Sequence, residues 1–161
     1  MKATVTCLDI DGNEYEIPVN KLQWRPSAYG VIIKDGKVLL SKQFGSKYDL
    51  PGGGVDLGEL PENTTIREVK EETGIDVVSP KFLGLENSFF HAKHASENSY
   101  QSILIYYACD LSGGELSTDG FDEYEKAYAD MAEWVSLDTI DTIEIASTVD
   151  FRPYIKQAAQ L

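Results

Sequence analysis

Three glutamates lie within five residues of one another in the segment "REVKEETG", which covers residues 67–74. Glu68 and Glu72 are four residues apart, and like charges at that spacing destabilise an isolated helix by roughly a few tenths of a kcal/mol. Gly74 is typical of the residue that follows a helix, and the helix dipole disfavours carboxylates in the last turn. The segment therefore predicts that a positive charge from outside the chain binds here.

The same three acids share one face of the predicted helix. On a helical wheel Glu68, Glu71 and Glu72 fall within an arc of about 100°, and Val69 lies on the opposite side. A solvated acidic surface is the alternative, because runs of charge are usually exposed to water. Helix stability does not explain the acids, since Leu60 occupies the position where Ser or Asp would cap the helix. A hard divalent cation such as Mg²⁺ explains them better, because it prefers carboxylate oxygens, water and substrate phosphates as ligands.

A glycine-rich segment, "LPGGGVDLGEL" at 50–60, directly precedes this helix, which we predict to begin at Pro61. Glycine allows a close approach of the backbone, so we expect a loop that presents carbonyl groups to a metal or amides to a phosphate. The segment lacks the Lys-Ser or Lys-Thr pair of a P-loop. The positive charge for phosphate binding must therefore come from the ion.

These residues are identified as a Nudix box, the pattern G-x5-E-x7-R-E-U-x-E-E-x-G-U in which U is a bulky aliphatic residue. The segment "GGVDLGELPENTTIREVKEETGI" fills every specified position. The nine matching residues are Gly53, Glu59, Arg67, Glu68, Val69, Glu71, Glu72, Gly74 and Ile75. The chain therefore resembles the Nudix hydrolase family, and strands that flank the box extend the resemblance over roughly residues 27–140.

The resemblance implies an α/β fold of the Nudix type, an α/β/α sandwich with a mixed central sheet. The length of the chain favours a single domain over residues 1–161. The resemblance also implies Mg²⁺-dependent or Mn²⁺-dependent hydrolysis of a nucleoside diphosphate linked to another group, in which water attacks phosphorus. The metal ligands that it implies are the carboxylates of Glu68, Glu71 and Glu72 and the backbone carbonyl of Gly52. It implies catalytic or supporting roles for Glu71, Arg67 and Glu59, and Arg67 is similar to the family's arginine that orients the acids.

Two questions about the chemistry stay open at this point. The general base is either Glu71 or an acid of the polar connection 112–130, where Glu123 and Glu125 are our candidates for an extra acid. The substrate-class positions beyond the box resemble neither the ADP-ribose class nor the dinucleoside-polyphosphate class, because Phe89, Phe90, Ala92 and Lys93 occupy them. We expect a nucleoside triphosphate or another nucleotide derivative. The alternatives are an ADP-ribose or nucleotide-sugar pyrophosphatase, a nucleotide-sensing module without hydrolysis, and an isomerase of the kind that shares this fold, which would need additional catalytic residues.

Some further side chains are candidates for substrate contacts. Arg25 is a candidate for binding phosphate, as are His91 and His94, which lie in the polar connection 91–99. Phe89 is a candidate for stacking on a base, although aromatic side chains in strands are more often part of the core. A surface histidine more often has no such role.

Composition limits the partners of the chain. Its 161 residues are 42% hydrophobic and 25% charged, which is typical of a globular domain. The 14 basic and 27 acidic residues give a net charge of -13, which repels nucleic acid. No apolar run approaches the roughly 20 residues of a membrane span, so we expect no membrane partner and a cytoplasmic location.

The pattern of apolar residues predicts strands on both sides of the acidic helix. "TVTCLDIDGNEYEIPV" and "YGVIIKDGKVLLSKQ" are both typical of hairpins, and the first makes residues 1–25 an extra N-terminal β-hairpin whose edge could pair in a homodimer. Three more strands are predicted at 75–90, 99–111 and 131–137, and a closing helix at 151–161. Cys7 and Cys109 lie in apolar runs without metal-binding spacing, so we expect core thiols.

Overall fold

The computed structural model describes residues 3–93 and 96–161 of the chain. These residues form eleven strands, three α-helices and two short 3₁₀ turns. The strands are β1 Thr4–Leu8, β2 Glu14–Pro18, β3 Leu22–Trp24, β4 Ser27–Val31, β5 Ile33–Lys34, β6 Lys37–Gln43, β7 Lys47–Asp49, β8 Gly52–Gly54, β9 Ile75–His91, β10 Ser99–Gly114 and β11 Ala129–Ser136. The helices are α1 Pro61–Thr73, α2 Glu125–Tyr128 and α3 Arg152–Ala158. None of the helices in the described ranges is long and apolar enough to cross a membrane.

The larger sheet has seven strands and is mixed. Its order is β2-β1-β9-β10-β4-β8, and β3 pairs with the first residues of β10. The long strands β9 and β10 pair antiparallel, whereas β4 and β10 pair parallel. The mixed central sheet that the sequence predicts is therefore confirmed.

The smaller sheet corrects the prediction of a single hairpin over residues 29–43. It has four strands, in which β6 pairs with β11, β5 and β7. The turn at 35–36 is present, and Ile33–Lys34 lies opposite Lys37–Val38, but β4 belongs to the larger sheet. A strand with buried residues on both faces, as β4 has, needs partners on both edges, and β8 and β10 supply them. One local hairpin could not satisfy these backbone groups.

Helices cover the sheets on two sides. Val69 of α1 packs in one apolar cluster with Ile32, Leu39 and Val77. A second cluster includes Phe151, which directly precedes α3, together with other core residues from this helix and from β4, β6 and β10. This arrangement has helix, sheet and helix layers, which confirms the α/β class.

Helix α1 begins and ends where the sequence predicts. Leu60 is extended and gives no side-chain cap, and Pro61 is the first helical residue. Gly74 ends the helix in the left-handed conformation, with φ 79°, and its N–H donates to the carbonyl of Lys70 at 2.9 Å. A Cβ on Gly74 would lie 2.2 Å from the carbonyl oxygen of Glu115, so this position also needs glycine for space.

The N-terminal hairpin joins the larger sheet through one edge. Strands β1 and β2 pair antiparallel, and Leu8 pairs with Phe90 of β9. At the turn the buried Asp9 carboxylate accepts two backbone N–H bonds and one from the Asn13 side chain. Within β1 Cys7 is fully buried, as Cys109 nearly is, and both are free thiols. The prediction of core thiols is confirmed.

Two predicted loops are shorter than expected. Residues Gly52–Gly54 of the glycine-rich segment form β8 against Ser27–Tyr29, because a strand without side chains can lie close beneath a helix. The first residues of the polar connection predicted over 112–130 belong to β10, which continues to Gly114. The last residues of the connection form α2 and the start of β11.

Candidate active site

One arginine of helix α1 holds two of the three acids that share a face. Arg67 donates two parallel bonds to Glu59, from Nε to Oε1 at 2.9 Å and from Nη2 to Oε2 at 2.8 Å. Its Nη1 donates to Glu68 at 2.8 Å and to Glu71 at 3.1 Å. A planar guanidinium can serve three carboxylates in this way, whereas an ammonium group cannot. Arg67 therefore fixes the directions of two acids on the shared face.

Glu59 anchors this arginine from the loop before the helix. Its Oε2 also accepts a bond of 2.7 Å from the Thr64 hydroxyl. The bonds from Arg67, followed by the bond from Thr64, lower the pKa of Glu59 to about 2. The same pairing raises the pKa of Arg67. The pair thus stays charged and rigid at neutral pH.

Glu72 is held by a different pair of donors. Its Oε2 accepts from the Ser41 hydroxyl at 2.8 Å and from the Gly52 N–H at 3.1 Å. The surrounding protein strips water from this carboxylate, which raises its pKa well above the usual value even though part of the side chain is accessible. Sequence reasoning missed Ser41, and the one signal for it was a polar residue inside the apolar strand β6.

Glycines of β8 bring the backbone against these acids. A Cβ on Gly53 would lie 2.6 Å from Oε1 of Glu68. At Gly54 a Cβ would lie 3.1 Å from Nε of Arg25, so that guanidinium lies at the same edge. Burial raises the pKa of Glu68, and the neighbouring Arg67 opposes this increase. The close approach expected of the glycine-rich segment is present at Gly53.

A cavity opens beside Glu72 and separates the two extra-acid candidates. Its walls are formed by Ser41, Lys42, Gln43, Glu72, Phe121, Glu125, Tyr128, Ala129 and Asp130. Glu125 is partly buried, and this burial raises its pKa. Glu123 lies outside the cavity, since 89% of its side chain is exposed and it pairs with Lys126 at 2.7 Å. The structure therefore brings Glu125, and not Glu123, to the acids of α1.

The substrate-contact candidates do not lie together. The Arg25 guanidinium is 5.6 Å from the ring centre of Tyr100, beside Gly54. The His91 ring packs against Tyr15, with ring centres 4.2 Å apart and planes tilted by 35°, and its Nδ1 hydrogen-bonds the Ser99 hydroxyl at 3.0 Å. In the described ranges no hydrogen bond, ion pair or ring contact joins His91 or Phe89 to the acids of α1. His94 lies outside the described residues.

Asp49 is a further acid that sequence reasoning missed. It lies opposite Ser41 in the β6–β7 ladder, and it accepts a bond of 2.8 Å from the Leu50 N–H. Burial raises the pKa of this carboxyl to about 8, and burial followed by the charge of Asp49 raises the pKa of Tyr29. No motif marks such a residue, because the raised pKa comes from neighbours that are distant in the sequence.

The donor atoms at this face are of the kind that a hard divalent cation prefers. Carboxylates of Glu68, Glu71 and Glu72 share one face of α1, and Gly53 leaves the space that a side chain would fill. Among residues 3–93 and 96–161, no three acidic, histidine or cysteine side chains converge closely enough to hold one ion. Arg67 holds two of the acids, while Ser41 holds the third. A cation at this face would therefore compete with these donors for the carboxylates.

Fold and site together define an α/β protein with a carboxylate-rich helix of the kind that binds divalent cations. Residues 24–156 match the family model described as NUDIX domain. The chain belongs to the Nudix family, as the box at 53–75 predicts.

Known proteins similar to the chain carry several names. It is 36% identical over 106 residues to an ADP-ribose pyrophosphatase from Methanocaldococcus jannaschii, a match that covers 63% of this chain and 59% of that protein. It is 26% identical over 161 residues to an RNA pyrophosphohydrolase from Bartonella quintana, with 86% and 88% of the two chains covered. The crystal structure of a MutT protein from Methanosarcina mazei Go1 has a TM-score of 0.61 and 26% identity, covering 87% of this chain and 96% of that one. The chain spans about half the length of the first relatives that it matches.

Proposed function

We propose that this chain is a Mg²⁺-dependent hydrolase that cleaves a phosphoanhydride bond in a nucleoside diphosphate linked to another group. The observation that carries the proposal is the acid cluster, defined as Glu68, Glu71 and Glu72, on one face of α1. Arg67 contacts two of these acids, and the third faces a cavity with Glu125 on its wall. So much negative charge beside a glycine strand favours a site for a cation and a phosphate.

The acid cluster and the Gly52 carbonyl are the groups that would hold the ion. Mg²⁺, or Mn²⁺ in its place, supplies charge neutralisation of the diphosphate and a lower pKa for a bound water. Arg67 and Glu59 keep Glu68 and Glu71 in position, and Ser41 does the same for Glu72. These bonds fix the directions of the three carboxylates, and an ion that binds them competes with Arg67 and Ser41 for their oxygens.

The proton from the attacking water goes to a carboxylate of this chain. Glu71 is one candidate, with 46% of its side chain exposed beside the cluster. Glu125 is the other, since it lines the same cavity as Glu72. Exposed Glu123 is the weaker of the two loop acids. Arg25, which lies beside Gly54 at the edge of β8, is our candidate for contacting a substrate phosphate.

The substrate that we favour is a nucleoside triphosphate or another small nucleotide derivative. An ADP-ribose or nucleotide-sugar pyrophosphatase is the second candidate, and the relative from Methanocaldococcus jannaschii, named for that activity, supports it. The relative named RNA pyrophosphohydrolase makes a 5′-triphosphate RNA end worth testing. The net charge of -13 opposes wide contact with an RNA backbone.

A panel of substrates tests the proposal. Purified chain is incubated with Mg²⁺ or Mn²⁺ and a nucleoside triphosphate, ADP-ribose, a UDP-sugar or 5′-triphosphate RNA, and phosphate and pyrophosphate are measured separately. We expect Glu72→Gln and Glu71→Gln to lower kcat by about 100-fold or more, since each removes a charge from the site. Glu62→Gln is the matched control, because Glu62 is exposed in the first turn of the same helix.

Two outcomes contradict the proposal in different ways. Full activity in both Glu71→Gln and Glu72→Gln would show that the acid cluster is not the site. Tight nucleotide binding without turnover of any substrate would favour the nucleotide-sensing module instead.

A further inference from the structure

Phe44 has a backbone conformation that a bulky residue rarely adopts. Its φ is 47°, and Gly45 after it has φ 80°. Glycine takes the left-handed region without steric cost, but a side chain with a Cβ does not. Phenylalanine at such a turn position is unfavourable locally, so a contact elsewhere must compensate for it.

That contact is with Tyr128 at the end of α2. The two rings stack with centres 5.0 Å apart and an interplanar angle of 10°. The Phe44 N–H also donates to the Tyr128 carbonyl oxygen at 2.9 Å. Phe44 is 39% exposed, so the ring pair lies at the surface and not in the core. Two independent contacts thus join the β6–β7 turn to α2.

The two joined elements carry acids or acid-binding groups of the site. Strand β6 ends at Gln43, directly before Phe44, and it holds Ser41, which donates to Glu72. Helix α2 begins at Glu125, three residues before Tyr128, so both side chains lie on one side of its single turn. Glu72, Glu125 and Tyr128 all line the same cavity.

The chain before α2 is anchored at its other end on α1. The Ser117 N–H donates to the Thr73 carbonyl oxygen at 3.0 Å. A Cβ on Gly120 would lie 2.3 Å from the carbonyl oxygen of Glu71, so the backbone passes directly over the helix end. Between this anchor and Tyr128, residues 122–124 are exposed. The chain after Glu125 is anchored again at Tyr128, by the two contacts with Phe44 and by the pairing of Ala129 with Gln43 that follows.

We propose that the Phe44–Tyr128 ring pair is a latch that holds Glu125 beside Glu72. Phe44 and Tyr128 are then positioning residues, which act on the reaction through Glu125. The effect of the latch on turnover rests on the proposed hydrolase function, whereas its effect on the segment 115–128 does not.

Substitutions at the latch test it with little risk to the fold. Phe44→Gly removes the ring and relieves the left-handed conformation, so we expect the thermal midpoint to change little. With the nucleotide of the panel that is turned over fastest, we expect Phe44→Gly and Tyr128→Ala to lower kcat by about tenfold and to change KM by less than about threefold. Phe44→Tyr keeps an aromatic ring at this position, so we expect its kcat to equal that of the unaltered chain. Tyr124→Ala is the control, because Tyr124 is 72% exposed in the same segment.

Two measurements decide whether the latch acts through Glu125. In a Glu125→Gln background, Phe44→Gly should lower kcat no further, because the residue that it positions is already inactive. Amide hydrogen exchange at 118–128 should be faster in Phe44→Gly than in the unaltered chain, with exchange in α1 unchanged. Additive losses of kcat would overturn the positioning role, and equal exchange rates would overturn the latch. If no substrate is hydrolysed, the proposed function fails while exchange still tests the latch.

Discussion

At the scale of single residues, Arg67 alone holds three carboxylates in place. It bonds Glu59 with two parallel bonds and still reaches Glu68 and Glu71. Arg152 makes a similar two-bond pair with Asp150, at 2.8 and 2.9 Å, in a different part of the chain. A comparison of substitutions at the two arginines therefore separates the effect of such a pair on stability from its effect on the acid cluster.

Replacing Arg67 by lysine should affect both stability and activity. An ammonium group cannot make two parallel bonds to Glu59 and also hold Glu68, so we expect a loss of about 1–2 kcal/mol in the free energy of unfolding. We expect kcat to fall by about tenfold or more, since two acids lose their orientation. Urea unfolding and steady-state kinetics measure the two effects. Arg152→Lys should leave kcat unchanged, and an equal loss of kcat in both variants would contradict the role of Arg67.

Glu59 gives a pH dependence with a definite sign. Its pKa is lowered from the ordinary 4.5 to about 2 by the bonds from Arg67 and Thr64. Its contribution to stability is therefore fully present above the unfolded-state value and is lost as the pH falls from 4.5 towards 2. We expect the difference in unfolding free energy between the native chain and Glu59→Gln to be constant from about pH 8 to pH 5 and to shrink below that. A difference that grows on acidification would be inconsistent with this pairing.

At the scale of elements, the end of α1 is fixed by glycine conformation as much as by hydrogen bonds. Gly74 and Gly58 both have left-handed φ values, of 79° and 89°. A Cβ on Gly74 would lie 2.2 Å from the carbonyl oxygen of Glu115, whereas a Cβ on Gly58 would have no atom within 4 Å. The two positions therefore differ in the space for a side chain and not in backbone conformation.

Alanine substitutions at these two glycines should differ in cost. We expect Gly58→Ala to lower the free energy of unfolding by about 1 kcal/mol, the cost of the left-handed conformation alone. Gly74→Ala should cost about 3 kcal/mol or more, because the chain at Glu115 must also move. Thermal or urea unfolding measures both, and equal costs would mean that the segment after β10 moves aside easily.

Elements were predicted well where local signals define them, and less well where distant partners do. Pro61 and Gly74 mark the bounds of α1, which the structure reproduces. The position of β4 in the larger sheet depends on pairing with β10, more than 70 residues away, and no local pattern reports it. For the same reason Ser41 beside Glu72 and the stack of Phe44 on Tyr128 were not anticipated. Spacing on one helix indicates which acids share a face, but not which neighbours hold them.

At the scale of the whole molecule, charge and layer order act together. The chain carries a net charge of -13, and the acid cluster adds repulsion at the junction of α1 with β8. The apolar clusters on both sides of the sheet provide the stability that this repulsion reduces. Binding of a divalent cation to the folded chain should therefore have a measurable effect on its unfolding.

Mg²⁺ should raise the thermal midpoint of the chain. An ion at 100 times its dissociation constant stabilises the folded state by about 2.7 kcal/mol, which corresponds to roughly 5–10 °C for a chain of this size. Sodium chloride at equal ionic strength controls for general screening of the negative charge. Glu68→Gln should lose most of the shift that is specific to Mg²⁺. An equal shift in both salts would argue against a bound ion at this site.

The N-terminal hairpin keeps the prediction of a homodimer open. Strand β2 pairs with β1 on one side, and the described part of the chain places no strand on its other side. We expect a dimer through this edge. Sedimentation velocity at several concentrations tests this. A single monomeric species at every concentration would rule out the dimer.

The buried cysteines make the chain suitable for thiol labelling without any substitution. Burial raises the pKa of Cys7 and raises that of Cys109 to about 12, so neither reacts quickly as long as its surroundings stay closed. Cys7 lies in the N-terminal hairpin and Cys109 in the long central strand β10. The ratio of their labelling rates therefore reports whether the hairpin detaches by itself or opens only when the whole sheet unfolds.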